Sequence, residues 1–212
     1  MQFVLSTILI GALAAGVIVL AVMGVRQGLR RRRLAGAAHG TGMLFSISDP
    51  FDLPRRHRGF LLFSGGHSPI AENVMYGRRG GLNVRVFDFT FEAGHGPSRL
   101  SRRYGVISTE TDLNLPEVLL WPFGDTEHAP LLVRQATERA MDWLVVAGRA
   151  WAGMVAEAFA ELAGEPVGIE IAGGVVVVCR AGGWPAGSIL DETDKVVQAV
   201  DKLRRRLAAE AA

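Results

Sequence analysis

The residue types that could do chemistry are few and scattered along this chain of 212 residues. Its five histidines, His39, His57, His67, His95 and His128, stand singly, at least 10 positions apart, in stretches that read as loops. A metal site needs several such ligands converging, commonly at short spacing. No His-x-x-x-His and no cysteine pair is present, and only His67 and His95 would meet, if their loops shared one edge of a sheet. The glycine-rich pieces SGGHS, GRRGG and AGGV lack the spacing of a phosphate cradle and read as turns. Ser64, Ser68 and Ser108 lack the strand-to-helix elbow of a serine nucleophile, and Cys179 closes an apolar run as an inert core thiol. No cofactor is expected. Asp88 remains, set among apolar neighbours in VRVFDFTF. It reads either as a catalytic carboxylate or, in preference, as a hydrogen-bonded structural aspartate near a strand end.

The other conspicuous charges are arginines. Arg26, Arg30, Arg31, Arg32 and Arg33 follow 23 residues, 3–25, that carry no charge. As a helix that apolar run spans about 34 Å, enough to cross a hydrocarbon core of about 30 Å. A cleaved signal peptide would put its positive charges first and have a shorter core, so a retained transmembrane helix is expected. By the positive-inside bias the arginines are its cytoplasmic flank, with the N-terminus outside the inner membrane. Spacing by four of Thr7, Gly11 and Ala15 would permit close helix–helix approach. Outside 26–33 the chain has 18 basic and 21 acidic residues, a poor footprint for nucleic acid. The expected layout is a transmembrane helix at 1–25, a basic juxtamembrane linker at 26–42 and a cytoplasmic domain at 43–212. Within the linker, LAGAAHGTG reads as a short tether or a frayed helix end.

The elements that must position Asp88 are strands. ENVMYG, LNVRVFDFTFE, RLSRRYGVISTET and EVLLWP are rich in Val, Phe, Tyr and Thr and are separated by Gly- or Pro-containing turns. Their short connections predict an antiparallel meander, with Gly80-Gly81 in its first hairpin. In VRVFDFTF the apolar positions change register midway, so either both faces are covered or a bulge lies near 86–87. Residues 127–162 read as mostly helical, with a possible strand at MDWLVVAG. GIEIAGGVVVVCR predicts a second hairpin whose VVVVC is buried on both faces. ILDETDKVVQAVDKLRRRLAAE predicts a final amphipathic helix with Ile189, Val196, Val200, Leu203 and Leu207 inward. The fold class is therefore α+β, a mainly antiparallel sheet with packed helices behind an N-terminal transmembrane helix.

Two motifs carry a resemblance. Asn73, Val74, Gly77, Gly81, Val84, Val86, Phe87, Asp88 and Phe89 form an N-V-x-x-G…G-x-x-V-x-V-F-D-[FY] hairpin, and Leu115, Pro116, Val118, Leu120 and Pro122 an L-P-x-[FV]-x-L-x-P strand. In layout the chain resembles a loose group of uncharacterised bacterial single-pass proteins with a cytoplasmic α+β domain. The resemblance implies architecture and carries no activity.

The function expected is binding rather than catalysis: an accessory or scaffold protein that contacts the bilayer through residues 3–25 and a protein partner in the membrane or cytoplasm. Alternatives are a small-ligand or anionic-lipid sensor, in which Arg78, Arg79, Arg102 and Arg103, with Arg99, face lipid, or an enzyme with a cleft around Asp88, His67 and His95.

Overall fold

A computed structural model describes residues 2–94, 96–124 and 131–210. The chain opens with α1 (Gln2–Gly40), a single helix of 39 residues that is long and apolar enough to cross a membrane. It ends where Thr41 donates its hydroxyl to the Ala37 carbonyl and the Met43 amide bonds back to Ala38. Gly42 makes the turn at φ +71°. Residues 34–40 are thus neither a tether nor frayed: they are ordered last turns of α1, with Leu34 and Ala38 buried in the core.

After α1 come β1 (Leu44–Ser48), two single-turn helices, α2 (Leu53–Arg56) and α3 (Leu61–Ser64), and three long strands, β2 (His67–Arg79), β3 (Leu82–Ala93) and β4 (Leu100–Glu110). Gly80 and Gly81, at φ +55° and +82°, turn β2 into β3, the double positive φ that a two-residue hairpin loop requires. The rest is β5 (Val118–Pro122), α4 (Leu131–Gln135), β6 (Arg139–Ala140), β7 (Trp143–Ala147), α5 (Arg149–Ala158), β8 (Val167–Ala172), β9 (Val175–Ala181) and α6 (Ile189–Glu210). The expected helical character of 127–162 holds only for α4 and α5. Residues 127–130 lie outside the described part, and the strand in MDWLVVAG is β7.

All pairings are antiparallel, in one nine-stranded sheet of order β1-β2-β3-β4-β9-β8-β5-β7-β6. The meander therefore stops at β4. The place expected for β5 is taken by β9, and β5 pairs instead with β8 and β7. The cause is burial: VVVVC is apolar on both sides and must be central, whereas residues 111–117 bury Leu113 and Leu115 and carry the chain past the β8–β9 hairpin.

Both faces are covered. One packs α1, α5 and α6 over Met75, Val86, Ile107 and Val178; the other packs α2, α3 and α4 over Phe87, Phe89, Tyr104 and Trp121. This settles VRVFDFTF. Val84 and Val86 point to the first core and Phe87, Phe89 and Phe91 to the second, while β3 keeps unbroken register with β4. The bulge lies opposite, in β2, where the pairing jumps from Glu72–Asp88 to Met75–Val86.

Candidate functional site

That bulge builds the site. Asn73 sits at φ +55°, a left-handed conformation that Asn tolerates better than most residues. A bulge re-aims a side chain, and here it brings the Asn73 amide beside Asp88 on the α1 face. The Asn73 Nδ2 donates to Asp88 Oδ2 at 2.9 Å, and its Oδ1 accepts from Arg31 Nε at 3.1 Å.

Helix geometry brings the arginines. Successive residues turn by about 100°, so four consecutive arginines cannot share a face. Arg30 and Arg31 flank the stripe of Leu34 and Ala38 and turn inward, whereas Arg32 and Arg33 are exposed, as is Arg26. Arg30 grips Asp88 through both ends of its guanidinium, Nη2 to Oδ1 at 2.7 Å and Nε to Oδ2 at 3.0 Å. Its remaining nitrogen, Nη1, donates to the Trp184 carbonyl at 2.7 Å. From β4, Arg103 Nη2 adds a further bond to Asp88 Oδ2 at 2.9 Å. Arg31 Nη2 reaches Glu72 at 3.4 Å.

Asp88 is 1% exposed. Burial by itself would raise its carboxyl. The hydrogen bonds and charge of Arg30, with Asn73 and Arg103, win and hold it below the usual carboxylate range. The result is a charged, hydrogen-bonded clamp between the end of the apolar helix and the middle of the sheet. Asp88 accepts four hydrogen bonds and faces helix rather than solvent, as a structural aspartate would. Chain entropy adds to its cost: about 1–2 kcal/mol for each residue ordered, offset in α1 by the burial of Leu34 and Ala38.

The remaining arginines divide. Arg78 and Arg79 flank the β2–β3 turn, eight residues of β3 away from Thr90, the partner of Arg103. Arg79 is engaged with Asp194 of α6 by paired bonds at 2.5 and 2.6 Å. The expected cluster of Arg78, Arg79, Arg102 and Arg103 therefore splits between opposite ends of the sheet. His67, exposed at the start of β2, lies opposite Glu92 and apart from Asp88, while His95 and His128 fall outside the described residues. Among the described residues no three His, Cys, Asp or Glu converge as metal ligands.

Two buried titratable groups on the opposite face escape a reading of the sequence. His57, read from the sequence as a loop residue, packs against Phe60, Phe63 and Phe87. Burial, aided by Arg85 and Arg56, lowers it to about 4, so it is neutral. Its Nε2 has no hydrogen-bond partner among the described residues. Glu170 of β8, also buried, receives the Leu61 amide on both oxygens at 2.9 Å and fixes α3 to the sheet. Burial raises its carboxyl to about 7. The signal for Glu170 was its place in GIEIA, where alternation sends it inward with no cation beside it. Cys179 is buried in β9, as expected of a core thiol.

No protein-family model matches the chain, and no curated protein does. Among solved structures it is similar to the crystal structure of the mycobacterial trehalose monomycolate transport factor A, TtfA, with a TM-score of 0.58 and 17% identity over 83% of this chain and 94% of that one. At that identity the likeness is one of fold.

Proposed function

We propose that the chain is a single-pass inner-membrane protein, N-terminus outside and domain in the cytoplasm, that works by binding as an accessory or scaffold subunit. The observation that carries this reading is the passage of α1 without a break from its apolar span into the core, with the Arg30–Asp88 clamp at the point of entry. A loose tether suits a domain that must search the cytoplasm; a clamped helix suits one that presents a fixed face to a neighbour in the same membrane. The exposed Arg26, Arg32 and Arg33 support the cytoplasmic orientation through the positive-inside bias. The motif-sharing bacterial proteins with the same layout are where it would belong. TtfA is named for the transport of trehalose monomycolate, and the role carried over is that of a transport factor, without its substrate.

The test is to solubilise the full-length protein gently from its native membrane, capture it and identify what accompanies it by mass spectrometry. A stoichiometric membrane companion is expected; recovery alone refutes the accessory role. Orientation is read separately by alkaline phosphatase fused after residue 40, which should be inactive. Strong periplasmic activity would reverse the topology.

A further inference from the structure

One end of the sheet extends along α1 toward its apolar run. Along β2, α1 meets Asn73 at Arg31 and Gly77 at Met43, just past its end. From Arg31 to Gly40 the helix rises about 13.5 Å, and from Asn73 to Gly77 the strand rises about 13 Å. Helix and strand are thus nearly parallel, and the membrane side of α1 corresponds to the start of β2, the end of β3 and the start of β4.

The clamp gives a common level, because Arg30 meets Asp88, which pairs with Gly105. Arg26, the last charge before the apolar run, lies about 6 Å from that level toward the bilayer. Leu100 lies five strand residues from Gly105 in the same direction, about 17 Å along β4. Two steps of sheet twist between β2 and β4, about 20–25° each, shorten this to about 12 Å along the helix. The end of the β3–β4 ladder therefore passes Arg26 by about 6 Å, the thickness of one interfacial layer.

The side chains there suit that layer. Leu100 is 54% exposed and Ile70 55%. Ile70 stands in the same cross-strand row as Thr90 and Arg103, immediately on the membrane side of Glu72, Asp88 and Gly105. Arg103 shares the α1 face with Ile70, and Arg102 shares the opposite face with Leu100, in line with Phe91 and Tyr104. Arg99 precedes Leu100 and pairs with Glu92 at 3.1 Å. Arg102 makes no ion pair among the described residues, and Arg103 gives Asp88 a single nitrogen while remaining 43% exposed.

The geometry points to a second membrane contact: Leu100 and Ile70, on opposite faces of the sheet's end, enter the headgroup layer, and Arg99, Arg102 and Arg103 take the phosphates of anionic phospholipids. This rests on the anchored reading above. It places Arg102 and Arg103 against lipid and leaves Arg78 and Arg79 out.

The experiment uses the full-length protein in vesicles, in a Cys179→Ala background, with single cysteines carrying an environment-sensitive fluorophore at Leu100→Cys, Asn83→Cys and Leu13→Cys. Nitroxide lipids quench from shallow or mid-chain positions. The Leu100→Cys probe should be quenched by shallow nitroxides and Asn83→Cys, at the other end of β3, should not. The contact should weaken in pure phosphatidylcholine relative to membranes containing phosphatidylglycerol, and by about five-fold for each of Arg99→Gln and Arg102→Gln. Quenching of Leu13→Cys alone overturns the contact and leaves the anchor standing. Failure to quench Leu13→Cys removes both. Quenching at Leu100→Cys that ignores lipid charge and both arginines overturns the assignment to anionic headgroups.

Discussion

Replacing Asp88 with asparagine keeps the shape of the side chain and removes the charge that Arg30 and Arg103 share. Breaking a buried ion pair from one side costs about 3–5 kcal/mol when the partner stays dry. Here Arg30 is 21% and Arg103 43% exposed, so both regain some water, and about 2–3 kcal/mol is the expected loss. It should fall on the docking of α1 rather than on the sheet, whose register near Asp88 is maintained by backbone pairing with β4. Ala38 is 1% exposed and reports on docking. In a Cys179→Ala background, an Ala38→Cys thiol reacts only when the last turns of α1 lift. Where closing outpaces labelling, the rate follows the open population, so Asp88→Asn should speed it by about 30- to 150-fold. Arg30→Met should do the same, and the double variant should add little. Unchanged labelling in Asp88→Asn, or fully additive effects with Arg30→Met, would refute the clamp. The pH dependence has a definite sign. A carboxyl held below its ordinary value of 3.8 stabilises the docked state above that pH and loses this as pH falls through the folded value. Labelling of the parent, taken relative to a fully exposed thiol at each pH, should therefore be flat near neutrality and rise below about pH 4, and Asp88→Asn should lack that rise.

Three further outcomes follow from the buried groups and the close approach at β4. Glu170, raised from 4.5 to about 7, keeps a proton in the folded chain that the unfolded chain has released. Stability should fall as pH rises from about 4.5 to 7, by about 3 kcal/mol at most, and Glu170→Gln, which keeps an acceptor for Leu61, should flatten that slope in chemical denaturation. His57, lowered from 6.5 to about 4, works oppositely: stability should fall as pH drops from 6.5 toward 4. His57→Phe should abolish this and cost nothing at pH 8, and a loss of stability there would show that its unpaired nitrogen has a partner. A Cβ on Gly105 would collide with the ring and backbone nitrogen of Trp184. Gly105→Ala should lower stability by about 1–3 kcal/mol and speed Ala38→Cys labelling through the displaced Trp184 carbonyl; an unchanged melting temperature would refute the close packing.

Local pattern made much of this fold legible. Gly80-Gly81 and Gly173-Gly174 mark their hairpins because two consecutive positive φ values admit few other residues. The stripe of Ile189, Val196, Val200 and Leu203 marks α6, and VVVVC marks a central strand. What pattern could not supply was partnership over long separations. That β4 takes β9 and not β5 depends on 64 or more intervening residues packing first, and no local spacing records it. The site was half legible. Asp88 in an apolar run demanded a cation, and Arg30, Leu34 and Ala38 at four-residue spacing marked one helix face. Each sign was visible alone, but the charges of 26–33 had a sufficient explanation as a membrane flank, which hid the inward pair among the outward ones. Asn73 gave no sign, since a bulge is a relation between two strands.

The unbroken α1 also makes the protein a crank. A shaft without a joint transmits angle as well as distance, so the heading of the sheet around the membrane normal follows whichever side of the apolar helix rests against a neighbour. One alanine inserted between Val25 and Arg30 would advance the domain by about 1.5 Å and swing it by about 100°, while two complete turns, seven residues, would nearly restore its heading and lift it by about 10 Å. Activity that recovers at seven insertions but not at one would mean that the neighbour reads the domain by its bearing; activity indifferent to both would mean that it reads only its presence.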